Sequence, residues 1–272
     1  MLNHFIPPHR FYPYLTWPEI QSLSDKSNTV IIQPTGAIEQ HGPHLPLIVD
    51  AALTVGVLGQ ALTHLPLAIP AYSLPCLYYG KSNEHDGFPG TITLSAQTLL
   101  TLLMEIGESL YRAGFRKWIL LNGHGGQPQV LEIAARDLHQ KYPDFWVFPF
   151  FLWRVPFDQS LFTPQELAKG IHAGDGETSL MLALLPDRVK MEQAIAEYPP
   201  ALPSDSWLSM EGAFPYSWLT REISQSGVIG DPTTATKEKG DRLLQSLSQG
   251  WQRVIQEVYE FQAPQIQQTQ KK

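Results

Sequence analysis

The chain has 272 residues, 43% of them hydrophobic, a formal net charge of -7 and a single cysteine, Cys76. That length and apolar content suffice for one sizeable core and predict a single domain over residues 1–272. The acidic balance without a basic cluster argues against a nucleic-acid partner, the lack of any apolar window near the roughly 20 residues of a span argues against a membrane segment, and the lone cysteine rules out an internal disulfide. "MLNHFIPPHRFYPYL" carries prolines and histidines where a secretory leader needs an apolar run, so the expected location is the cytoplasm.

In chain order, "NTVIIQPTG" is the first predicted strand, followed by "LPLAIPAYSLPCL", "RKWILLNGHGG" and "DFWVFPFFLW", each rich in β-branched or aromatic residues and ended by Gly, Pro or polar breakers. After the first strand, "AALTVGVLGQAL" is expected to be a helix with Asp50 at its N-cap. Leu99, Leu102, Leu103, Ile106 and Leu110 recur at helical spacing within Ser95 to Ala113, Pro128 to Tyr142 repeats the pattern, and Gly174 to Leu185 supplies a helix apolar nearly all round. Strands alternating with helices predict an α/β fold, a mainly parallel sheet with helices on both faces. Glu197 to Gln225 has no periodicity and is expected to be a loop-rich insert or a subunit contact. Asp231-Pro232 then signals the start of a last helix reaching about Phe261, with a frayed polar tail from Gln262 onward.

Open parallel sheets place chemistry at the carboxyl ends of their strands, and the polar clusters of this chain fall there. In "PTGAIEQHGPHLPLIVDA", Glu39 and His41 stand two apart on an extended segment leaving the first strand, so their side chains share a side, and Asp50 follows at the head of the next helix. Glu, His and Asp are ligand types for zinc, manganese or iron; a polar loop with a capping Asp50 is the alternative. In "LLNGHGGQ", His124 lies among glycines that let the backbone turn sharply and open a site. "HAGDGETS" puts Glu177 near the start of a buried helix, where a carboxylate needs a cation or hydrogen-bond donors, and capping competes with metal binding there. "YYGKSNEHDGFPGT" offers Ser82 and His85, but Gly80-Lys81-Ser82-Asn83-Glu84 lacks the final glycine of a nucleophile elbow. Substrate contact or a structural turn suits these two residues better.

Taken together and in order, "GAIEQHGPHLPLIVDA", "GKSNEHDGFPGT", "NGHGGQ", "HAGDGETSLMLAL" and "GVIGDP" resemble the creatininase (creatinine amidohydrolase) family over roughly Val30 to Gly240. The resemblance implies a three-layer α/β metal-dependent amide hydrolase with two divalent ions, zinc first with manganese or iron as alternatives, assembled as a homo-oligomer and in many members a hexamer. It implies Glu39 and His124 on one metal, His41 on the other and Asp50 bridging both. Creatininases proper carry a glutamate two places after the histidine of the third motif, where this chain has Gly126; Glu177 is then expected to serve the second metal. Family members specific for creatinine carry an aromatic and an acidic residue four and three places before the histidine of "HAG"; Ala168 and Lys169 stand there, which points away from creatinine. The branch with "GHGG" also includes deformylases of formylaminopyrimidines and a peptidase of mycofactocin maturation.

The chemistry that this resemblance implies is hydrolysis of a C-N bond in a small cyclic amide or formamide by a metal-activated water, whose pKa falls from about 15.7 toward about 7 on a divalent ion. His172 is the candidate general acid/base because the ordinary imidazole pKa of about 6.5 suits proton exchange near neutrality, with Glu177 beside it at the catalytic centre. Gly125 is expected to offer a backbone donor to the substrate at a position that tolerates no bulky side chain. Ser82 and His85 are the further substrate contacts, and Trp153 and Phe88 the candidate pocket walls. A metallopeptidase trimming a short peptide and a non-catalytic metal-bound scaffold are the alternative readings.

Overall fold

The computed structural model describes residues 2–264; most of the tail expected to fray, residues 265–272, lies outside that range. Four parallel strands, β1 (Val30–Thr35), β2 (Ala71–Ser73), β3 (Lys117–Asn122) and β4 (Trp146–Phe151), form one sheet in the order β2-β1-β3-β4. Among the described residues eight α-helices accompany them: α1 (Trp17–Ser22), α2 (Val49–His64), α3 (Ala96–Arg112), α4 (Pro128–Lys141), α5 (Pro164–Lys169), α6 (Asp175–Leu184), α7 (Thr220–Ile223) and α8 (Lys237–Glu260). All four expected strands are present, and Pro149, which cannot donate to a ladder, is confined to edge strand β4.

Alternation along the central strands decides the layering. Val30 and Ile32 of β1 and Ile119 and Leu121 of β3 join one core with α2, α6 and α8, through Leu53, Val57, Leu180, Leu243 and Trp251. Ile31, Trp118 and Leu120 point the other way and meet Leu99 and Leu103 of α3 and Leu131 and Leu138 of α4. The result is three layers, helices on both faces of a parallel sheet. Each fully buried leucine on α3 or α4 contributes about 1.5–3 kcal/mol relative to exposure, so the helical stripe seen in the sequence is also what docks these helices.

The register leaves Thr35, Asn122 and Phe151 level at one edge, and the segments leaving β1, β3 and β4 there surround a single cleft. Two boundaries differ from expectation. Asp50 is not an N-cap: Ile48 occupies that place and Asp50 lies inside the first turn of α2, buried, with its carboxylate turned to the sheet end. Asp231 caps only the single turn Pro232–Thr234, and α8 begins five residues later than Pro232, behind Thr236, whose side chain accepts from the Lys239 amide. From Ala194 to Leu219 the chain has no helix or strand; Trp207, Leu208 and Phe214 stand exposed on it, while Met210, Tyr216 and Trp218 rim the cleft. Among the described residues no helix is long and apolar enough to cross a membrane.

Candidate metal centre

At the floor of the cleft, Glu39, His41, Asp50, His124 and His172 are buried within one cluster. The two oxygens of Asp50 face different histidines: Oδ1 lies 3.3 Å from His41 Nε2 and Oδ2 lies 3.3 Å from His124 Nδ1. Glu39 Oε2 is 3.1 Å from His124 Nδ1, and Glu177 Oε2 is 3.9 Å from His41 Nε2. Around Asp50 the donor atoms sort into two overlapping sets, Glu39 with His124 and Glu177 with His41; Glu39 reaches both, its Oε1 standing 3.8 Å from His41 Nε2.

The backbone fixes which nitrogen each ring presents. His41 Nδ1 lies 3.2 Å from the Glu39 carbonyl and donates to it, leaving Nε2 to look into the cluster. His124 is turned the other way, with Nε2 donating to the Lys81 carbonyl at 2.8 Å and Nδ1 facing inward. His41 Nε2 and Asp50 Oδ2 are buried with no hydrogen-bond partner, a costly arrangement for side chains that otherwise satisfy their neighbours. Inward imidazole nitrogens and carboxylate oxygens, two of these atoms orphaned, fit divalent metal ions of the zinc and manganese type.

The electrostatics follow from burial and crowding. Burial opposes charge on His41, but Asp50, Glu177 and Glu39 outweigh it and push its pKa up to about 9. The same contest, decided by Glu39 and Asp50, holds His124 well above the ordinary imidazole range. Burial would raise Glu39, yet His124 and His85 hold its carboxyl well below the usual carboxylate range. Burial, reinforced by Asp50 and Glu39, raises Glu177 to about 7. His172 goes the opposite way: burial, then His85 and His41, lower it well below 6.5. The expectation that His172 titrates like a free imidazole is therefore corrected. It is neutral at pH 7, its Nε2 donates to the Gln40 carbonyl at 2.8 Å, and its Nδ1 faces Glu39 Oε1 at 3.8 Å.

The expected substrate contacts are placed unequally. His85 lines the cleft, accepting from the Gln40 side chain at Nδ1 and facing Glu39 Oε1 at 3.3 Å through Nε2. Ser82 is buried and its hydroxyl donates to Glu39 Oε2, so it steadies that carboxylate and does not reach the cleft. Gly125 lines the cleft, and a Cβ there would meet no protein atom within 4 Å, so a side chain at this position would crowd only a substrate. Trp153 is part of the wall and Phe88 is not.

Two residues escaped the sequence reading. Gln40, between Glu39 and His41, donates to His85 Nδ1 at 2.8 Å and to the Gly227 carbonyl at 3.0 Å, tying three segments together. Glu84 places Oε1 3.0 Å from His124 Nε2, which makes it, and not Glu177, the carboxylate beside Gly126. Its only signal in the sequence is adjacency to His85. Ala173, the only non-glycine with positive φ among the described residues (53°), carries the amide that donates to Glu177 Oε2 at 2.6 Å, so backbone strain is stored next to the cluster.

The creatinine amidohydrolase family model matches residues 13–255. The chain belongs to the creatininase family. The mycofactocin precursor peptide peptidase of Mycolicibacterium smegmatis is 31% identical over 234 residues, covering 81% of this chain and 82% of the relative. The creatinine amidohydrolase of Pseudomonas putida is 31% identical over 264 residues, covering 92% and 97%. Among solved structures, a manganese form of creatininase superposes with a TM-score of 0.75 at 29% identity, covering 92% of this chain and 98% of that one. A creatininase mutant of the Zn-Zn type gives 0.73 at 30% identity with the same coverage. Creatininase neighbours are thus metal-containing hydrolases, and this chain holds metal-capable clusters in the same fold.

Proposed function

We propose that this creatininase-family hydrolase cleaves the C-N bond of a small cyclic amide or formamide with two divalent ions, Glu39 and His124 holding one, His41 and Glu177 the other, and Asp50 shared. The observation that carries this reading is the Asp50 carboxylate, whose two oxygens address two inward imidazole nitrogens at 3.3 Å each. Bound there, such ions would supply an activated water near neutral pH and polarise the substrate carbonyl.

The remaining steps belong to the protein. His172 is neutral, and with Nε2 engaged by Gln40 it accepts the proton of the attacking water at Nδ1. It then returns that proton to the departing nitrogen, so that the amine leaves neutral. His85 presents its ring at the cleft and orients the substrate, while Ser82 and Gln40 hold Glu39 and the two histidines in place.

A second reading, a metallopeptidase acting on a short peptide, is favoured by the size of the cleft. Its volume is about 900 Å³, and Phe150, Trp153, Phe157, Phe162, Tyr216 and Trp218 line it beyond the metal centre, more room than a small amide fills. The likeness to a peptide peptidase supports the same reading. The test is elemental mass spectrometry of the purified protein followed by hydrolysis assays on formamides, cyclic amides including creatinine, and short peptides. Two ions per chain are expected. His172→Gln should keep both ions and lower kcat by about 10²–10⁴-fold on the accepted substrate. A protein without metal, or a metal-replete protein that cleaves none of the three classes, would overturn the assignment.

A further inference from the structure

His124 uses its two ring nitrogens for different tasks. Nδ1 points to Glu39 and Asp50, and Nε2 points away to the Lys81 carbonyl at 2.8 Å and Glu84 Oε1 at 3.0 Å. Glu84 is held in turn: its other oxygen is 3.7 Å from Lys81 Nζ, which also donates to the Gly126 carbonyl at 3.1 Å. A Cβ on Gly126 would lie 1.6 Å from Glu84 Oε1, 2.4 Å from Glu84 Cδ and 2.6 Å from His124 Nε2. Gly126 is not among the residues of positive φ, so its backbone would accept a side chain. The Glu84 carboxylate would have to move aside for one. At Gly125, one residue earlier, the same addition meets open space.

We infer that Glu84 is a positioning residue for His124, its carboxylate standing 3.0 Å from Nε2 beside the Lys81 carbonyl that accepts the ring N–H, so that Nδ1 faces the metal centre, and that residue 126 is glycine because Glu84 stands in the space a side chain would take. The assignment rests on the metal reading of the site. A carboxylate behind a ligand imidazole fixes its tautomer and ring plane and raises its basicity, and outer partners of this kind are worth about 10–100-fold in metal affinity. Glu84 groups with Glu39 and His124 as a set that could hold an ion, but it addresses the ring nitrogen that faces away from Asp50, which favours the positioning role. The two residues act as one unit.

The test is titration of metal-free full-length protein with Co²⁺, following the visible absorption band, with elemental mass spectrometry for stoichiometry and a thermal melt to establish folding. Glu84→Ala should weaken one Co²⁺ site by about 10–100-fold while the number of ions stays that of the wild type. Glu84→Gln, which keeps the acceptor and loses the charge, should recover part of that loss. Gly126→Ala should also weaken the site, by displacing Glu84, and the Glu84→Ala/Gly126→Ala double variant should be no weaker than Glu84→Ala alone. Wild-type affinity in Glu84→Ala overturns the inference, and so does additive loss in the double variant. Loss of one ion outright would make Glu84 a ligand and overturn the positioning role. A wild-type protein that takes up no Co²⁺ would overturn the metal reading itself, and this inference with it.

Discussion

His44, three residues beyond His41, is a buried imidazole outside the two donor sets. Its Nε2 lies 2.9 Å from Thr178 Oγ1, its Nδ1 has no partner, and burial, aided by His41, lowers its pKa to about 4. In the unfolded chain the same group titrates near 6.5. Between these values the unfolded state binds the extra proton, so this stabilising contribution is complete above about pH 6.5 and is lost as pH falls through 4. Urea midpoints at pH 7 and pH 4.5 should fall further for the wild type than for His44→Gln, whose amide can keep the bond to Thr178 and cannot titrate; equal falls would count against the assignment. The residues legible in the sequence were those whose role is local to a strand end. Glu39, His41 and His124 each sit within a few residues of β1 or β3, where extended geometry and glycines limit where a side chain can point. Glu84 escapes the sequence reading and Ser82 reads there as a substrate contact because their partners, His124 and Glu39, are about forty residues away and meet them only when the loop after β2 folds over the sheet. His172 was placed in the right region but given an ordinary pKa, because burial cannot be read from a histidine alone.

Among the elements, α6 and α8 make the closest helical approach that bears on the site. A Cβ on Gly240 of α8 would stand 1.9 Å from the Ser179 carbonyl oxygen and 2.6 Å from its carbon, both backbone atoms of α6 that cannot rotate aside. Alanine would gain about 1 kcal/mol of helix propensity over glycine, but the overpacking costs typically about 1–3 kcal/mol and here meets main chain. Gly240→Ala is therefore expected to lower Tm by a few degrees and, since Glu177 lies two residues before Ser179, to weaken the metal set shared with His41. Gly125→Ala, which enters open space, is the control and should melt like the wild type. A higher Tm for Gly240→Ala would show that propensity wins and the helices can part. This contact was invisible in the sequence, where Gly240 is one small residue in a polar helix. The elements themselves were legible because apolar runs alternate with amphipathic stretches of helical period. The start of α8 was misplaced because Asp231-Pro232, a genuine helix-start signal, is spent on one isolated turn.

At the scale of the whole molecule, the donors come from the segment after β1, from α2, from the turn after β3 and from the head of α6, elements on both sides of the sheet end and up to 138 residues apart in sequence. No compact piece of the unfolded chain offers this set, so ions that bind it bind the folded state, and their binding free energy is added to folding. One site at a free-ion concentration of one hundred times Kd adds about 2.7 kcal/mol. At about 2–4 °C per kcal/mol for a domain near this size, that corresponds to roughly 5–10 °C in Tm. Metal-free protein is therefore expected to melt lower than the same protein in excess Zn²⁺ or Mn²⁺, with Tm rising logarithmically once the concentration passes Kd. Asp50→Asn should abolish most of this rise, because both donor sets rely on that carboxylate and losing either oxygen's charge weakens both. A Tm that does not respond to metal in the wild type would mean the cluster is held without ions. A response that persists in Asp50→Asn would place the ions on other residues. The shift in the variant thus tests where the ions bind, and the shift in the wild type tests whether they stabilise this fold.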